Sequence, residues 1–167
     1  AALERGAEVS LVSASKYLPD PFGIKVSHVE TVSEMRDSVL LECSNADAVI
    51  MAAAISDYRV KEIADNKIKK QKDHDMYIEL VQNEDFLQDI PDKVKKIGFA
   101  AETENLEQNA IKKLNNKNLE FIVANDVTIE GAGFAVDTNK VSIIDKSGTL
   151  TDYPLQSKYE VANIILD

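Results

Sequence analysis

Short apolar runs alternate along the chain with stretches whose apolar positions recur every three or four residues. Residues 1–6 have the pattern of the last turn of an amphipathic helix closed by Gly6, since glycine takes the left-handed C-terminal position without a side-chain penalty. Residues 8–13 and 24–29 predict strands, separated by a loop that Pro19, Pro21 and Gly23 punctuate. Ser33 is the expected N-cap of a helix through about residue 44, with Met35, Val39, Leu40 and Cys43 on one face. Residues 46–54 are almost continuously apolar, as in a strand buried on both faces of a parallel sheet.

The second half repeats the alternation. A basic, polar stretch over 59–72 precedes a predicted strand at 76–81, a short helix over 83–90 and a strand at 95–101. Leu106, Ala110 and Leu114 keep helical spacing within 104–117, and residues 119–124 form another apolar strand that runs into Asn125 and Asp126. Residues 140–145 and 149–153 predict a hairpin, and 157–167 a closing helix. Strands interleaved with helices imply an α/β fold: a Rossmann-like three-layer sandwich with a mainly parallel sheet and a C-terminal β-hairpin. Its ligands are expected outside the carboxyl ends of the strands. Those ends fall at residues 53–58, 99–103 and 124–127. The absence of any linker or repeat makes 1–167 one expected domain, with a strand and the start of a helix expected ahead of residue 1.

Composition narrows the function classes. The 167 residues carry 19 basic and 29 acidic groups, a formal net charge of −10. No general attraction to nucleic acid or an anionic membrane follows, so any polyanion needs a local basic cluster. No apolar run approaches the ~20 residues of a membrane span. The one cysteine, Cys43, excludes an internal disulfide and fits a reducing, cytoplasmic setting. Its place among apolar helix positions predicts a core thiol. His28 and His74 lack metal-ligand spacing, and none of the six glycines builds a dinucleotide or P-loop fingerprint.

Four segments could carry chemistry. Alanines 52–54 at a strand end leave room for backbone to approach a flat ligand, with Asp57 at the mouth; the plainer reading is tight helix–sheet packing with Asp57 capping a turn. Arg59, Lys61, Lys67, Lys69, Lys70 and Lys72 place six cations within fourteen positions. Such a run is either a solvated loop or, beside a strand end, a mobile lid that offsets polyphosphate charge. Phe99 would stack on a base or fill the core. Lys113 and Lys117 share a helix face, either gripping an anion or complementing the helix terminus. Asn125 and Asp126 end a buried strand, as a turn or as ligand contacts.

Taken in order, AAAISDYR, KIKKQ ten residues after Asp57, LVQNED, GFAAETENLEQNAIKKLNNKNLEFIVANDV and GF…DTNKVSIID resemble phosphopantothenate–cysteine ligase. In bacteria that enzyme is usually the C-terminal half of a bifunctional flavoprotein of coenzyme A biosynthesis. The resemblance covers nearly the whole chain. It implies that CTP and Mg²⁺ activate 4′-phosphopantothenate as an acyl-cytidylate with release of pyrophosphate, and that the amine of cysteine then displaces CMP. Such chemistry needs charge neutralisation and in-line positioning more than a protein nucleophile.

By the same resemblance the CTP site comprises Met51, Ala52, Ala53, Asp57, Lys67, Glu84, Asp85, Phe86, Leu87, Phe99, Lys113 and Lys117. Asn125 and Asp126 match the family's AND segment. Lys67 is the expected catalytic residue, and no side chain is assigned to metal. Glu84 stands where many members have proline. The family's Gly-rich first loop and catalytic Asn have no counterpart, so a polypeptide of these residues alone is expected to be inactive. FMN is expected only if a decarboxylase domain is fused upstream. A homodimer through the 140–153 hairpin is expected, without nucleic-acid or membrane partners. The competing readings are an NAD(P)-dependent Rossmann oxidoreductase and a non-catalytic nucleotide-binding domain.

Overall fold

A computed structural model describes residues 1–70, 75–102, 106–126, 128–129, 131–133 and 136–167. Leu3–Arg5 is a 3-10 turn closed by Gly6 at φ +83°, the left-handed position expected of it. Then follow β1 (Ser10–Ser13), β2 (Lys25–His28), α1 (Val32–Cys43), β3 (Ala48–Met51), β4 (Tyr58–Val60) and β5 (Leu80–Gln82). A 3-10 turn, Phe86–Asp89, leads to β6 (Lys95–Glu102), α2 (Leu106–Asn116) and β7 (Phe121–Asp126). The chain closes with β8 (Thr138–Asn139), β9 (Val141–Asp145), β10 (Leu150–Asp152), β11 (Gln156–Ser157) and α3 (Lys158–Leu166).

The main sheet has the order β10-β9-β7-β6-β3. β3, β6 and β7 run parallel, and the β9–β10 hairpin joins antiparallel at β7. Register partners share a face. Met51, Gly98, Ile122 and Ile144 therefore lie on one side and Ile50, Ile97 and Phe121 on the other. α1 covers the first side through Met35, Val39 and Cys43, and α2 through Ala110 and Leu114. α3 covers the opposite side, where Val161 packs on Ile97, Val123 and Val141. The expected three layers, mainly parallel sheet and C-terminal hairpin are all present.

Several local expectations are corrected. Thr31, not Ser33, caps α1: its extended backbone lets the side chain accept from Glu34 N–H while the Glu34 carboxylate accepts from Thr31 N–H. Among the described residues the apolar run 46–54 pairs only over Ala48–Met51, at the edge of the sheet, and it is not buried on both faces: Ile50 is 43% exposed. The strand expected at 76–81 shrinks to β5, which pairs antiparallel with β4 in a ribbon of its own. The helix expected at 83–90 is the single 3-10 turn at Phe86–Asp89. Asn125 and Asp126 belong to β7, not to a turn.

Two strand edges lie open beneath α1. Lys95 N–H donates to the Asp47 carbonyl, which turns alternate backbone groups of β3 toward β6 and leaves those of Ala48 and Ile50 facing away. Bonds from Lys25 to Val9 and from Val29 to Ser13 do the same for β1, leaving Ser10 and Val12 outward. β1 pairs only with β2, yet Val12 and Val49 pack against the same α1 cluster. Among the described residues neither outer edge is paired.

Cys43 is 2% exposed, and burial together with Glu42 pushes its thiol above the usual range, consistent with a core thiol. Both capped helices depend on carboxylates. Backbone N–H donors at Glu30 and Thr31 hold Glu34 below the usual carboxylate range, and the Ser157 hydroxyl and N–H do so for Glu160. A depressed folded-state pKa gives stability present above the unfolded value and lost as pH falls through the folded one. The midpoint of thermal unfolding is therefore expected to drop as pH is lowered from 6 to below about 4, and Glu34→Gln with Glu160→Gln should flatten that slope. An unchanged slope in the double variant would remove the caps as its source.

Candidate functional site

Parallel strands β3, β6 and β7 end together, and a cavity of about 280 Å³ lies where they end, under α3. Ala52, Phe99 and Asn125 line it, so the structure brings together three of the site residues singled out in the sequence. Ala52 follows β3. Phe99 and Asn125 project on the α3 face because Phe99 pairs with Val123 and Asn125 with Ala101, two steps on. Phe99 also packs against the cluster under α3, so it serves core and cavity at once. Met51 is buried against α1, whereas Ala52, Ala53 and Ala54 are exposed and leave the expected room for backbone approach.

Gly98, the residue before Phe99, has a structural duty of its own. A Cβ there would stand 2.7 Å from Leu119 Cδ1, and Leu119 is fully buried. The absent side chain lets the α2–β7 corner press onto β6, which fixes the backbone that carries Phe99.

The segment after Asp57 is tied down at its base. Asn83 N–H donates to the Asp57 carbonyl at 2.8 Å, and Asn83 Nδ2 to the Ser56 carbonyl at 2.8 Å. Arg59 donates to the Gln82 carbonyl and Asn83 Oδ1, each at 3.1 Å, and Lys61 pairs with Glu79 at 2.8 Å. These two cations brace the β4–β5 ribbon and so leave the expected polyanion cluster. Lys67, Lys69 and Lys70 are exposed and make no ion pair or hydrogen bond among the described residues. Gln71, Lys72 and His74 lie outside the described residues, as do Thr103 and Val127.

A second grouping forms where α2 meets the 83–87 segment. Lys117 Nζ lies 3.0 Å from Asp85 Oδ2, joining two residues that the sequence places in one site. Asp85 also caps the 3-10 turn by accepting from Leu87 N–H. Phe86 and Leu87 are buried in the α1 core, so neither side chain is available to a ligand. Glu84 is exposed and Lys113 half-buried one turn before Lys117. Asp126 ends β7; its side chain lies outside the described atoms.

Asn139, Lys158 and Gly133 also line the cavity and were not singled out in the sequence. Asn139 lies in β8, a two-residue strand paired with β11 at the start of α3, too short to leave a periodic signal.

The description of the DNA/pantothenate metabolism flavoprotein C-terminal domain matches residues 1–167. The chain belongs to that family. Among curated relatives, the coenzyme A biosynthesis bifunctional protein CoaBC of Bacillus subtilis is 42% identical over 170 residues, covering 99% of this chain and 42% of that protein. The protein of the same name from Vibrio cholerae is 38% identical over 171 residues, covering 99% of this chain and 43% of its own length. A crystal structure of the C-terminal domain of CoaBC superposes with a TM-score of 0.80 at 38% identity, over 99% of this chain and 74% of that one. The chain thus spans less than half the length of the curated relatives it matches. No helix among the described residues of this flavoprotein-family domain is long and apolar enough to cross a membrane.

Proposed function

We propose that this chain is a CTP-dependent phosphopantothenate–cysteine ligase domain. It would join 4′-phosphopantothenate to cysteine through an acyl-cytidylate in coenzyme A biosynthesis. The observation that supports this best is the convergence of strand ends at Ala52, Phe99 and Asn125 beside a tethered, lysine-bearing loop, in a chain 42% identical to CoaBC. Polyphosphate would be met by Lys67 on the loop after Asp57 and by Lys113 and Lys117 on α2. Backbone of residues 51–53 and 84–87, with Phe99, would frame the nucleoside. Asn125 and Asp126 stand at the adjoining strand end.

No group of three or more His, Cys, Asp or Glu side chains that could hold a metal occurs among the described residues. Mg²⁺ would be carried mainly by the nucleotide's phosphates, with one or two carboxylates at most. Any flavin would belong to a decarboxylase part of a longer protein.

A ligand that binds only the folded state raises its melting point, by about 2.7 kcal/mol of added stability at a hundred times its Kd. CTP with Mg²⁺ is expected to raise the midpoint, while NADPH leaves it in place. A shift with NADPH alone would sink the ligase reading in favour of an oxidoreductase. A CTP shift without pyrophosphate release, in the protein as its host makes it, would leave a nucleotide-binding domain.

A homodimer belongs to the same reading. β10 is the outer strand of the main sheet, and its Asp152 N–H faces outward because Tyr153 N–H already bonds the Val141 carbonyl across the hairpin. Asp152→Pro is therefore expected to give a monomer by light scattering. An unchanged dimer mass would exclude the hairpin and turn attention to the exposed Tyr58, Ile63, Met76 and Tyr77 around the β4–β5 ribbon.

A further inference from the structure

The chain enters the β4–β5 ribbon after Asp57 and leaves it before Asn83, and the two ends meet. Asn83 N–H donates to the Asp57 carbonyl and Asn83 Nδ2 to the Ser56 carbonyl, each at 2.8 Å. On its other side Asn83 Oδ1 accepts from an Arg59 guanidinium nitrogen at 3.1 Å, and the same nitrogen donates to the Gln82 carbonyl at 3.1 Å. One half-buried side chain thus ties the strand end at Ser56 to both strands of the ribbon.

The ribbon has little else to hold it. Among the described residues β4 and β5 pair only with each other, and all three residues of β4 are exposed, as are Leu80 and Gln82 of β5. A two-stranded ribbon without a face packed on a core is marginal in water. The Lys61–Glu79 ion pair beyond it is exposed and adds little. The direction of the ribbon is therefore decided at its root. Asparagine suits that root because one short side chain offers an N–H donor to one segment and an oxygen acceptor to the other. Aspartate lacks the donor, and alanine lacks both.

The consequence reaches the chemistry. Lys67 stands on the loop that this ribbon carries, and residues 84–87 of the proposed nucleotide site follow Asn83 directly. A misplacement of about 1 Å at a reacting centre can cost roughly a hundredfold in rate. We propose, on the basis of the ligase reading, that Asn83 is a positioning residue. With Arg59 it fixes the ribbon so that the Lys67 ammonium meets the phosphate under attack, and it acts through Lys67 without touching substrate itself.

Asn83→Ala removes both side-chain bonds and keeps the backbone one. Hydrogen exchange followed by mass spectrometry is expected to show the amides of β4 and β5 exchanging about tenfold faster or more, with β6 and β7 unchanged. At saturating CTP, pyrophosphate release in the protein as its host makes it should fall about 10–100-fold, with KM for CTP within about threefold. Added to Lys67→Gln, the same substitution should cost less than about a further threefold, because a misplaced lysine and an absent one fail alike. Losses that multiply in the double variant would overturn the proposal, since Asn83 would then act on the fold or the nucleotide and not through Lys67. A raised KM for CTP with kcat kept, or ribbon exchange that stays as in the parent, would overturn it too. A parent protein that releases no pyrophosphate defeats the ligase reading and the positioning role with it, while the exchange result still decides whether Asn83 holds the ribbon.

Discussion

Lys67→Gln is expected to abolish most pyrophosphate release while the domain keeps its fold and still binds CTP. Lys67 is exposed, lies on the loop between β4 and β5, and makes no hydrogen bond or ion pair among the described residues. Among the described residues nothing depends on its charge, so the melting midpoint should move by no more than a surface substitution does, within about 0.5 kcal/mol. Its positive charge is instead free to meet charge that develops on a phosphate in the transition state. Removing one such donor typically costs about 10²–10³ in rate. The measurement is single-turnover pyrophosphate release in the protein as its host makes it, with CTP affinity measured alongside. A rate within a factor of three of the parent would reduce Lys67 to a solvated loop charge. Loss of CTP affinity equal to the loss of rate would make it a binding residue instead.

Lys117→Glu tests the other group of cations. Lys117 is held 3.0 Å from Asp85, so replacing it sets two carboxylates together where the nucleotide phosphates are proposed to lie. A hydrogen bond to a charged group contributes about 1.5–3 kcal/mol, which sets an expected loss of CTP affinity of roughly 10–150-fold. Stability should change little, because partly exposed ion pairs contribute at most about 1 kcal/mol. Asp85→Asn separates the two roles: it releases Lys117 without removing it, so CTP should bind at least as well as in the parent. Equal CTP affinity in all three proteins, measured by calorimetry, would take this corner out of the site.

Much of this architecture is legible from local pattern. β6, the hairpin and α3 follow from alternation, Lys-Ser-Gly at the turn and apolar positions at helical spacing, all of which act within a few residues. The strand ends that line the cavity follow too, because the carboxyl-end rule depends only on strand direction. What escaped the sequence depends on distant partners. The apolar run at 46–54 reads as doubly buried, yet burial is decided by what packs on each face, and among the described residues Ala48 and Ile50 stay exposed. The basic cluster loses Arg59 and Lys61 because Glu79 and Asn83, some twenty residues away, take them up. Asn139 was invisible for a related reason: it reaches the cavity from β8, two residues whose place is set by pairing with β11.

The open rails beneath α1 have a consequence for handling the domain. The backbone groups of Ser10, Val12, Ala48 and Ile50 are unpaired among the described residues, and any form of the protein that leaves them so offers templates to an extended peptide, another copy included. What keeps such molecules apart in dilute buffer is mutual repulsion from a net charge of −10. Added salt shortens the reach of that repulsion from about 10 Å at 0.1 M to about 3 Å at 1 M. Concentrated stocks should therefore cloud as sodium chloride rises and clear on dialysis into low-salt buffer, the reverse of ordinary salting-in.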